Sequence, residues 1–257
     1  MNIIWLGTAS LLIESGGHKI LFDPYLRKLN NKLSPFPLDK ICDVEAIFIT
    51  HPHFDHYADV PDIMKYTHCP IYTNARGVEI AKSRGFDLSL IKRIDFGNEI
   101  TFGDLSVKAH RGRHVIFDRA CVRGVVKRAL MGKAITGLKL NRLNNHFKID
   151  LYNDVFSYQL CEGDKSVLIL GSANVDESVQ NIPVNLLIYP YQGRSDMLEY
   201  SLNLVKNISP EMVLLDHFDN AFPPLSSQMN VEEFKRILED TSDIKVTIPT
   251  ENEKISF

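Results

Sequence analysis

Three histidines and an aspartate fall within six consecutive positions, from His51 to His56, and the segment from Thr50 reads Thr-His-Pro-His-Phe-Asp-His. Imidazole and carboxylate side chains are costly to place at the end of a buried strand unless they bind something. Neutral imidazole nitrogens and carboxylate oxygens are ligands that Zn²⁺ and similar borderline metals accept. The segment therefore predicts a site for one metal ion or two adjacent ions. A chance cluster of surface histidines is the alternative.

The strand before this segment must position it. Ala46–Thr50 is a continuous apolar run, which is typical of a buried strand that delivers polar residues at its carboxyl end. If the chain stays extended, His51, His53 and Asp55 point the same way while His56 points elsewhere.

The rest of the chain shows strands first and then strands that alternate with helices, a pattern that favours two sheets with helices packed outside them. Predicted helices cover Asp59–Tyr66, Asn74–Arg84, Asp196–Asn207 and Val231–Asp240, with Asn74 and Asn230 as N-caps. Predicted strands cover Asn2–Leu6, Ser10–Glu14, Lys19–Phe22, Ala46–Thr50, Ile71–Thr73, Glu99–Thr101, Leu105–Ala109, Val155–Leu160, Ser166–Leu170, Leu186–Tyr189, Met212–Leu215 and Lys245–Ile248.

The segment from Thr50 resembles the T-H-x-H-x-D-H signature of the metallo-β-lactamase superfamily. Ile4–Gly7, Leu12–Glu14 and Ile20–Pro24 resemble the opening strands of the branch that contains the ascorbate-6-phosphate lactonases. Asp216–Asp219, followed by Pro223–Ser226, resembles the last histidine motif of that branch. The resemblance implies an α+β fold, the four-layer αβ/βα sandwich, in which two mixed sheets are flanked by helices. It also implies a single domain over residues 1–257, with the metals at one edge between the sheets.

The same resemblance implies which residues bind the metals. His51 and His53 would bind the first ion together with a later histidine, for which His114 is favoured over His110. The second ion would be bound by three further side chains, those of Asp55, His56 and His217. Zn²⁺ is the expected cofactor, with one or two ions per chain, and Mn or Fe would also fit. Asp23 would either support these ligands or serve as a turn residue before Pro24.

One position departs from the family pattern. The family places a bridging aspartate after a buried strand and a glycine, and here Gly171 is followed by Ser172. A neutral serine oxygen brings no charge to offset the metal cations, so the second metal should bind weakly or not at all. Asp176, four residues further on, is an alternative carboxylate that would compensate.

The resemblance implies a metal-dependent hydrolase of the lactonase, esterase or phosphodiesterase type. A bound Zn²⁺ lowers the pKa of its water from about 15.7 to about 7, and the resulting hydroxide would attack an ester, lactone or phosphoester bond. Asp55 would be the catalytic residue, because it can orient the water or receive its proton. A phosphodiesterase or nuclease is one alternative. A catalytically degenerate protein that binds metal or ligand is the other, and Ser172 supports it.

Charge is unevenly distributed along the chain. Lys108 to Lys148 contains eleven basic residues and one acid, Asp118, for a net charge of +10, which leaves −13 on the rest of a chain whose total is −3. This segment predicts a basic insertion or cap at about 115–150, with apolar residues at helical spacing at 122, 125, 126, 129 and 130. It would attract an anionic small substrate, lie on an anionic membrane, or simply be solvated while its apolar face packs on the domain or a second subunit.

Composition bounds the remaining possibilities. The four cysteines lack C-x-x-C spacing, which argues against a zinc knuckle or a disulfide framework. The amino terminus lacks the pattern of a signal peptide, and no apolar run approaches the length of a membrane span. We therefore expect a cytoplasmic protein with a small-molecule substrate and no nucleic-acid partner, for which a homo-oligomer is compatible with the sequence.

Overall fold

The computed structural model describes residues 1–26, 38–131, 154–221, 223 and 226–257. Its helices are α1 (Leu38–Ile41), α2 (Phe54–Tyr57), α3 (Val60–Thr67), α4 (Ala75–Ser83), α5 (Arg119–Met131), α6 (Met197–Ile208) and α7 (Glu232–Thr241). Its strands are β1 (Asn2–Gly7), β2 (Ser10–Ser15), β3 (His18–Phe22), β4 (Ala46–Phe48), β5 (Ile71–Thr73), β6 (Ile91–Arg93), β7 (Glu99–Phe102), β8 (Leu105–Arg113), β9 (Val155–Glu162), β10 (Lys165–Leu170), β11 (Asn174–Val175), β12 (Leu186–Pro190), β13 (Met212–Asp216), β14 (Lys245–Thr247) and β15 (Lys254–Ser256).

The strands form two mixed sheets. The first has the order β15-β1-β2-β3-β4-β5-β6, and the second has the order β11-β8-β9-β10-β12-β13-β14, with β7 paired to β8. In the first sheet, pairing is antiparallel from β15 to β3 and parallel from β3 to β6. In the second, pairing is antiparallel from β11 to β10 and parallel from β10 to β14.

Aromatic rings join the two sheets face to face. Phe48 of the first sheet stacks on Phe22 at 5.4 Å and meets Tyr158 of the second sheet edge-on at 5.3 Å. Helices cover the outer faces: α3 and α4 pack on the first sheet, and Phe234 of α7 stacks on Tyr189 of the second at 6.4 Å. The layers are therefore helix, sheet, sheet and helix, and the predicted four-layer α+β sandwich is confirmed.

The sheets approach closely at the edge that carries the histidine segment. The backbone N–H of Phe156 donates to the carbonyl of Thr50 at 2.8 Å, and the Tyr158 hydroxyl donates to the carbonyl of Ile49 at 2.9 Å. Gly171 lies in the same place, where a Cβ atom would come within 2.5 Å of the Phe156 carbonyl oxygen and 2.6 Å of the Thr50 Cβ. The close contact therefore leaves no room for a side chain at position 171.

Most predicted elements are present with small shifts at their ends. The N-cap at Asn74 is confirmed, because its side chain accepts from the N–H of Gly77. The N-cap at Asn230 is wrong: Val231 occupies that position, and Asn230 instead accepts from the N–H of Glu232 at 3.3 Å. Five short elements, α1, α2, β6, β11 and β15, were not predicted.

Part of the basic segment is helical. Helix α5 includes the residues for which helical spacing was predicted, and residues 132–153 lie outside the described part of the chain. None of the helices that the structure describes is long and apolar enough to cross a bilayer.

Gly171→Ala should destabilise the fold by about 1–3 kcal/mol, because the added methyl group meets backbone atoms that cannot move independently. Urea unfolding followed by circular dichroism would measure the change in the free energy of unfolding. Gly124→Ala is the matched control: its Cβ would meet only the flexible end of Arg128, in a helix where alanine is favoured over glycine. Equal stability of Gly171→Ala and wild type would contradict the close contact.

Candidate metal centre

Three histidines form a first ligand group at the edge between the sheets. One nitrogen from each of His51, His53 and His114 lies within 4.8 Å of the others. His51 follows β4 in the first sheet, and His114 immediately follows β8 in the second. The Nε2 atom of His51 is 3.0 Å from Nδ1 of His53, and the rings of His53 and His114 are 4.8 Å apart. Such crowding of ring nitrogens suits a shared cation.

A second group lies beside the first and contains Asp55, His56 and His217, again with ligand atoms within 4.8 Å of one another. An Asp55 carboxylate oxygen is 3.1 Å from Nε2 of His217, which follows β13. The rings of His51 and His56 are 4.0 Å apart, so the two groups are adjacent. All six residues predicted as metal ligands are thus brought together by the fold.

The internal geometry of the segment differs from the extended chain that the alternation argument assumed. Helix α2 begins at Phe54, and its turn carries Asp55 and His56 towards one group while His51 and His53 face the other. The prediction that Asp55 points with His51 and His53 is therefore wrong. The helical turn allows one short segment to supply ligands to both groups.

Asp23 supports both groups from behind. Its carboxylate accepts from the N–H of Thr50 at 2.7 Å and from the Thr50 hydroxyl at 2.6 Å, and it lies 2.9 Å from Nδ1 of His56. The residue is 2% exposed and has a φ of +44°. Asp23 therefore acts both as the turn residue and as the supporting residue that the sequence left open.

The Nδ1 atoms of three more histidines each lie within hydrogen-bonding distance of an oxygen atom. Nδ1 of His51 lies 3.0 Å from the Thr50 hydroxyl oxygen, and Nδ1 of His114 lies 2.8 Å from the Val115 carbonyl oxygen. Nδ1 of His217 lies 3.0 Å from the side-chain oxygen of Gln192. Partners of this kind fix the ring orientation and leave Nε2 for a metal. Gln192 was missed in the sequence, where a lone glutamine gives no signal.

Three further residues that the sequence singled out have other hydrogen-bonding partners. His110 is on β8 with its Nε2 atom 3.1 Å from the Gln159 side-chain oxygen, which agrees with His114 being favoured. The Ser172 hydroxyl oxygen accepts from the N–H of Val115 at 3.0 Å. The alternative based on Asp176 is wrong, because its carboxylate binds Arg113 at 3.0 Å and caps the turn at Glu177–Val179.

The two groups differ in charge. Burial, together with the neighbouring histidines, lowers the pKa of His51 well below its usual value, and burial also lowers the pKa of His114. In the second group burial disfavours the charged forms of Asp55 and His217, but the attraction between the two side chains outweighs this effect. The hydrogen bond and charge of Asp55 raise the pKa of His217 to about 9, and His56 and His217 hold the pKa of Asp55 below its usual range.

The donor set fits divalent metal ions. At neutral pH His51 and His114 of the first group offer neutral imidazole nitrogens, which is the form that binds metal. The second group offers a carboxylate and two histidines, and a metal ion there would replace the proton that His217 shares with Asp55. The Asp23 carboxylate, which favours a proton on Nδ1 of His56, leaves Nε2 of that ring as the donor atom.

Comparisons with known proteins agree with this fold. The model of the metallo-β-lactamase superfamily matches residues 3–124. A UPF0173 protein from Pyrococcus abyssi is 28% identical over 85% of this chain and 83% of its own length. A UPF0173 metal-dependent hydrolase from Pyrobaculum islandicum is 37% identical, over 40% of this chain and 46% of its own length. The chain thus spans about half the length of several curated relatives that it matches.

Among solved structures, a metallo hydrolase from Ignicoccus hospitalis superposes with a TM-score of 0.68 at 19% identity, covering 100% of this chain and 97% of that chain. Fold and ligand clusters together define a metallo-β-lactamase fold with paired metal-binding groups. Residues 3–124 of the chain are thus similar to the metallo-β-lactamase superfamily.

Asp23→Asn should weaken metal binding about 10–100-fold, because the amide keeps the shape but cannot accept from both Thr50 and the His56 ring. Zn²⁺ affinity measured against a chromophoric chelator would report the change. Asp43→Asn is the matched control, since that carboxylate is 55% exposed and paired with Lys19 on the surface. Unchanged affinity in Asp23→Asn would show that its hydrogen bonds do not orient the ligands.

Metal binding at the second group should depend more steeply on pH than binding at the first. Because the pKa of His217 is about 9, the metal must displace a proton at neutral pH, and apparent affinity should rise roughly tenfold per pH unit up to about pH 9. His51 and His114, whose pKa values are lowered, release no comparable proton.

Calorimetric Zn²⁺ titrations in buffers of different protonation enthalpy would count the released protons. His53→Ala leaves the second group intact and should show the proton release, whereas His217→Ala leaves the first group and should not. Equal proton release in the two variants would contradict the difference in charge.

Proposed function

We propose that this protein is a metal-dependent hydrolase whose metals are held by His51, His53 and His114 and by Asp55, His56 and His217. The observation that carries the proposal is the adjacency of the two ligand groups, 4.0 Å between the rings of His51 and His56, at the edge where both sheets end. The superfamily match and the relatives that bear the name metal-dependent hydrolase support the same reading.

Metal bound in these groups would act as a Lewis acid and make a water molecule nucleophilic at neutral pH. Asp55 is proposed as the catalytic residue, because its carboxylate belongs to the second group and is buried among histidines. It would orient the attacking water or hold its proton. Gln192 and Asp23 would keep the rings of His217 and His56 in place.

The metal content is proposed to be unequal between the groups. In the first group, His51 and His114 offer neutral nitrogens that can bind Zn²⁺ directly. In the second group, a metal ion must compete with the proton on His217, and position 172 supplies no carboxylate. The Ser172 hydroxyl already accepts from the backbone of Val115, which fixes its orientation. One tightly bound ion, with a second that binds more weakly, is the proposed state.

The proposed substrate is a small, anionic ester, lactone or phosphoester. The lactonase-like branch supports the first two bond types through the opening and closing motifs. We also propose one domain over residues 1–257, with its basic segment as a cap, and a cytoplasmic location, which the four free cysteines favour. A degenerate binding protein is the second candidate, supported by Ser172.

The experiment is a paired measurement of metal content and hydrolysis. Protein purified without added metal, then loaded with Zn²⁺ or Mn²⁺, would be analysed by plasma mass spectrometry. It would be assayed on a lactone, an aryl ester and an aryl phosphodiester. We expect about one to two ions per chain and turnover of one bond type. Both should fall in His53→Ala, whereas Asp55→Asn should lose turnover by about 10²-fold or more.

His110→Ala is the matched control, because this half-buried histidine lies on β8 outside both groups and should leave metal content and turnover unchanged. Metal binding with no turnover on any of the three bond types would favour the degenerate binding protein. No metal binding at all would overturn both candidates.

A further inference from the structure

Helix α5 and the two residues before Asp118 present an unusual surface. Among the large hydrophobic side chains that the structure describes as exposed, four of the seven lie between positions 116 and 126: Ile116 (73% exposed), Phe117 (45%), Val122 (48%) and Val126 (50%). The side chains of Arg119, Arg123 and Lys127 are exposed between them. We name these seven side chains the α5 face.

Helical geometry places the helical members of this face together. Positions 119, 122, 123, 126 and 127 follow the spacing i, i+3, i+4, i+7 and i+8, which defines one side of an α-helix. In a helix that packs on its own domain, this stripe is apolar and buried. Here it is exposed and alternates basic with apolar side chains, so its apolar part is not explained by packing within the described fold.

The rest of the fold holds this face in place. The Asp118 carboxylate accepts from the N–H of Cys121 at 2.8 Å at the start of α5, and from the N–H of Ser195 at 2.6 Å. A Cβ at Gly193 would lie 2.6 Å from a Val115 methyl carbon, so the two loops are in close contact. The carboxylate of Asp118, the one acid of the basic segment, is thus already hydrogen-bonded to Cys121 and Ser195.

The face also borders the candidate metal centre. The ring of Phe117 lies 5.6 Å from the ring of His114, a member of the first ligand group. A partner bound along α5 would therefore lie next to the mouth of that centre.

We propose that the α5 face binds the surface of an anionic lipid bilayer. A helix lying in the headgroup region inserts apolar side chains while its arginines and lysines bind lipid phosphates, and these long side chains can extend along apolar surface to reach them. The α5 face offers both kinds of side chain on one side of the helix. Helix α5 carries four basic residues and no acidic one, and this positive charge would turn the helix towards an anionic membrane.

Other occupants fit less well. A second copy in a two-fold dimer would bring Arg119, Arg123 and Lys127 against the same cations, none of which pairs with a carboxylate in the described part of the chain. A small anion would not span basic positions that extend over about 12 Å of helix. A nucleic acid would neutralise the cations but leave the valines without apolar contact.

The test is co-sedimentation of the full chain with vesicles of phosphatidylcholine alone or mixed with phosphatidylglycerol. We expect binding to the mixed vesicles only, weakening as salt is added. Arg119→Gln/Arg123→Gln should reduce the partition coefficient about tenfold, since each cation near the surface contributes. Val122→Asp/Val126→Asp should abolish binding.

The matched controls are Leu88→Asp, at an apolar side chain 46% exposed elsewhere, and Lys92→Gln, at an exposed lysine of β6; neither should change binding. Metal content and circular dichroism would verify folding, and the glutamine variant tests the face if the aspartates unfold it. The proposal is overturned by equal binding to neutral vesicles, by no binding, or by equal loss in the controls. It is also overturned if light scattering shows a dimer that the aspartates dissociate, or if a DNA duplex binds and vesicles do not.

Discussion

The buried carboxylate of Asp23 is the interaction on which the candidate metal centre depends. It lies at the carboxyl end of β3, accepts two hydrogen bonds from Thr50 at the end of β4, and meets the ring of His56 on α2. A carboxylate that is 2% exposed is stable only when several donors offset the loss of water. These same donors set the path of the chain from His51 to His56, so one ionic group fixes the positions of side chains in both ligand groups.

The two ligand groups, although adjacent, offer metals different environments. In the first, burial favours the neutral forms of His51 and His114, while in the second the Asp55 carboxylate favours a proton on His217. In the family pattern a bridging aspartate would add negative charge between two cations. Ser172 does not, and its hydroxyl is held by the backbone of Val115. Under the proposed function, proton competition and the missing charge would both act against a second ion, and this inequality would leave Asp55 and His56 more available for proton transfer.

The sequence was informative where local chemistry decides the structure. The apolar strand before the histidine segment and the helix cap at Asn74 each carry a short-range signal, and these predictions are confirmed by the structure. The histidine segment also carries such a signal, and the structure brings its side chains into two adjacent groups, as a metal site would require. The sequence was uninformative where the structure of a segment depends on a partner far away in the chain. Gln192 supports His217 across 25 positions, and β15 forms only by pairing with β1 at the opposite end of the chain. The direction of Asp55 was mispredicted because an extended chain was assumed, whereas a single helical turn begins at Phe54.

The architecture explains how so many functional side chains meet without any of them lying inside a regular element of a sheet. Asp23, His51, His114, Ser172, Gln192 and His217 follow the carboxyl ends of β3, β4, β8, β10, β12 and β13 respectively, and the two sheets bring these ends to one edge. A rigid core thus fixes the bases of these loops. The loops after β8 and β12 are pinned together through Asp118 and Ser195, so the wall beside His114 is itself held in position. A ligand that reaches the candidate metal centre beside His114 must therefore fit against these two rigid loops, and α5 begins directly after Asp118.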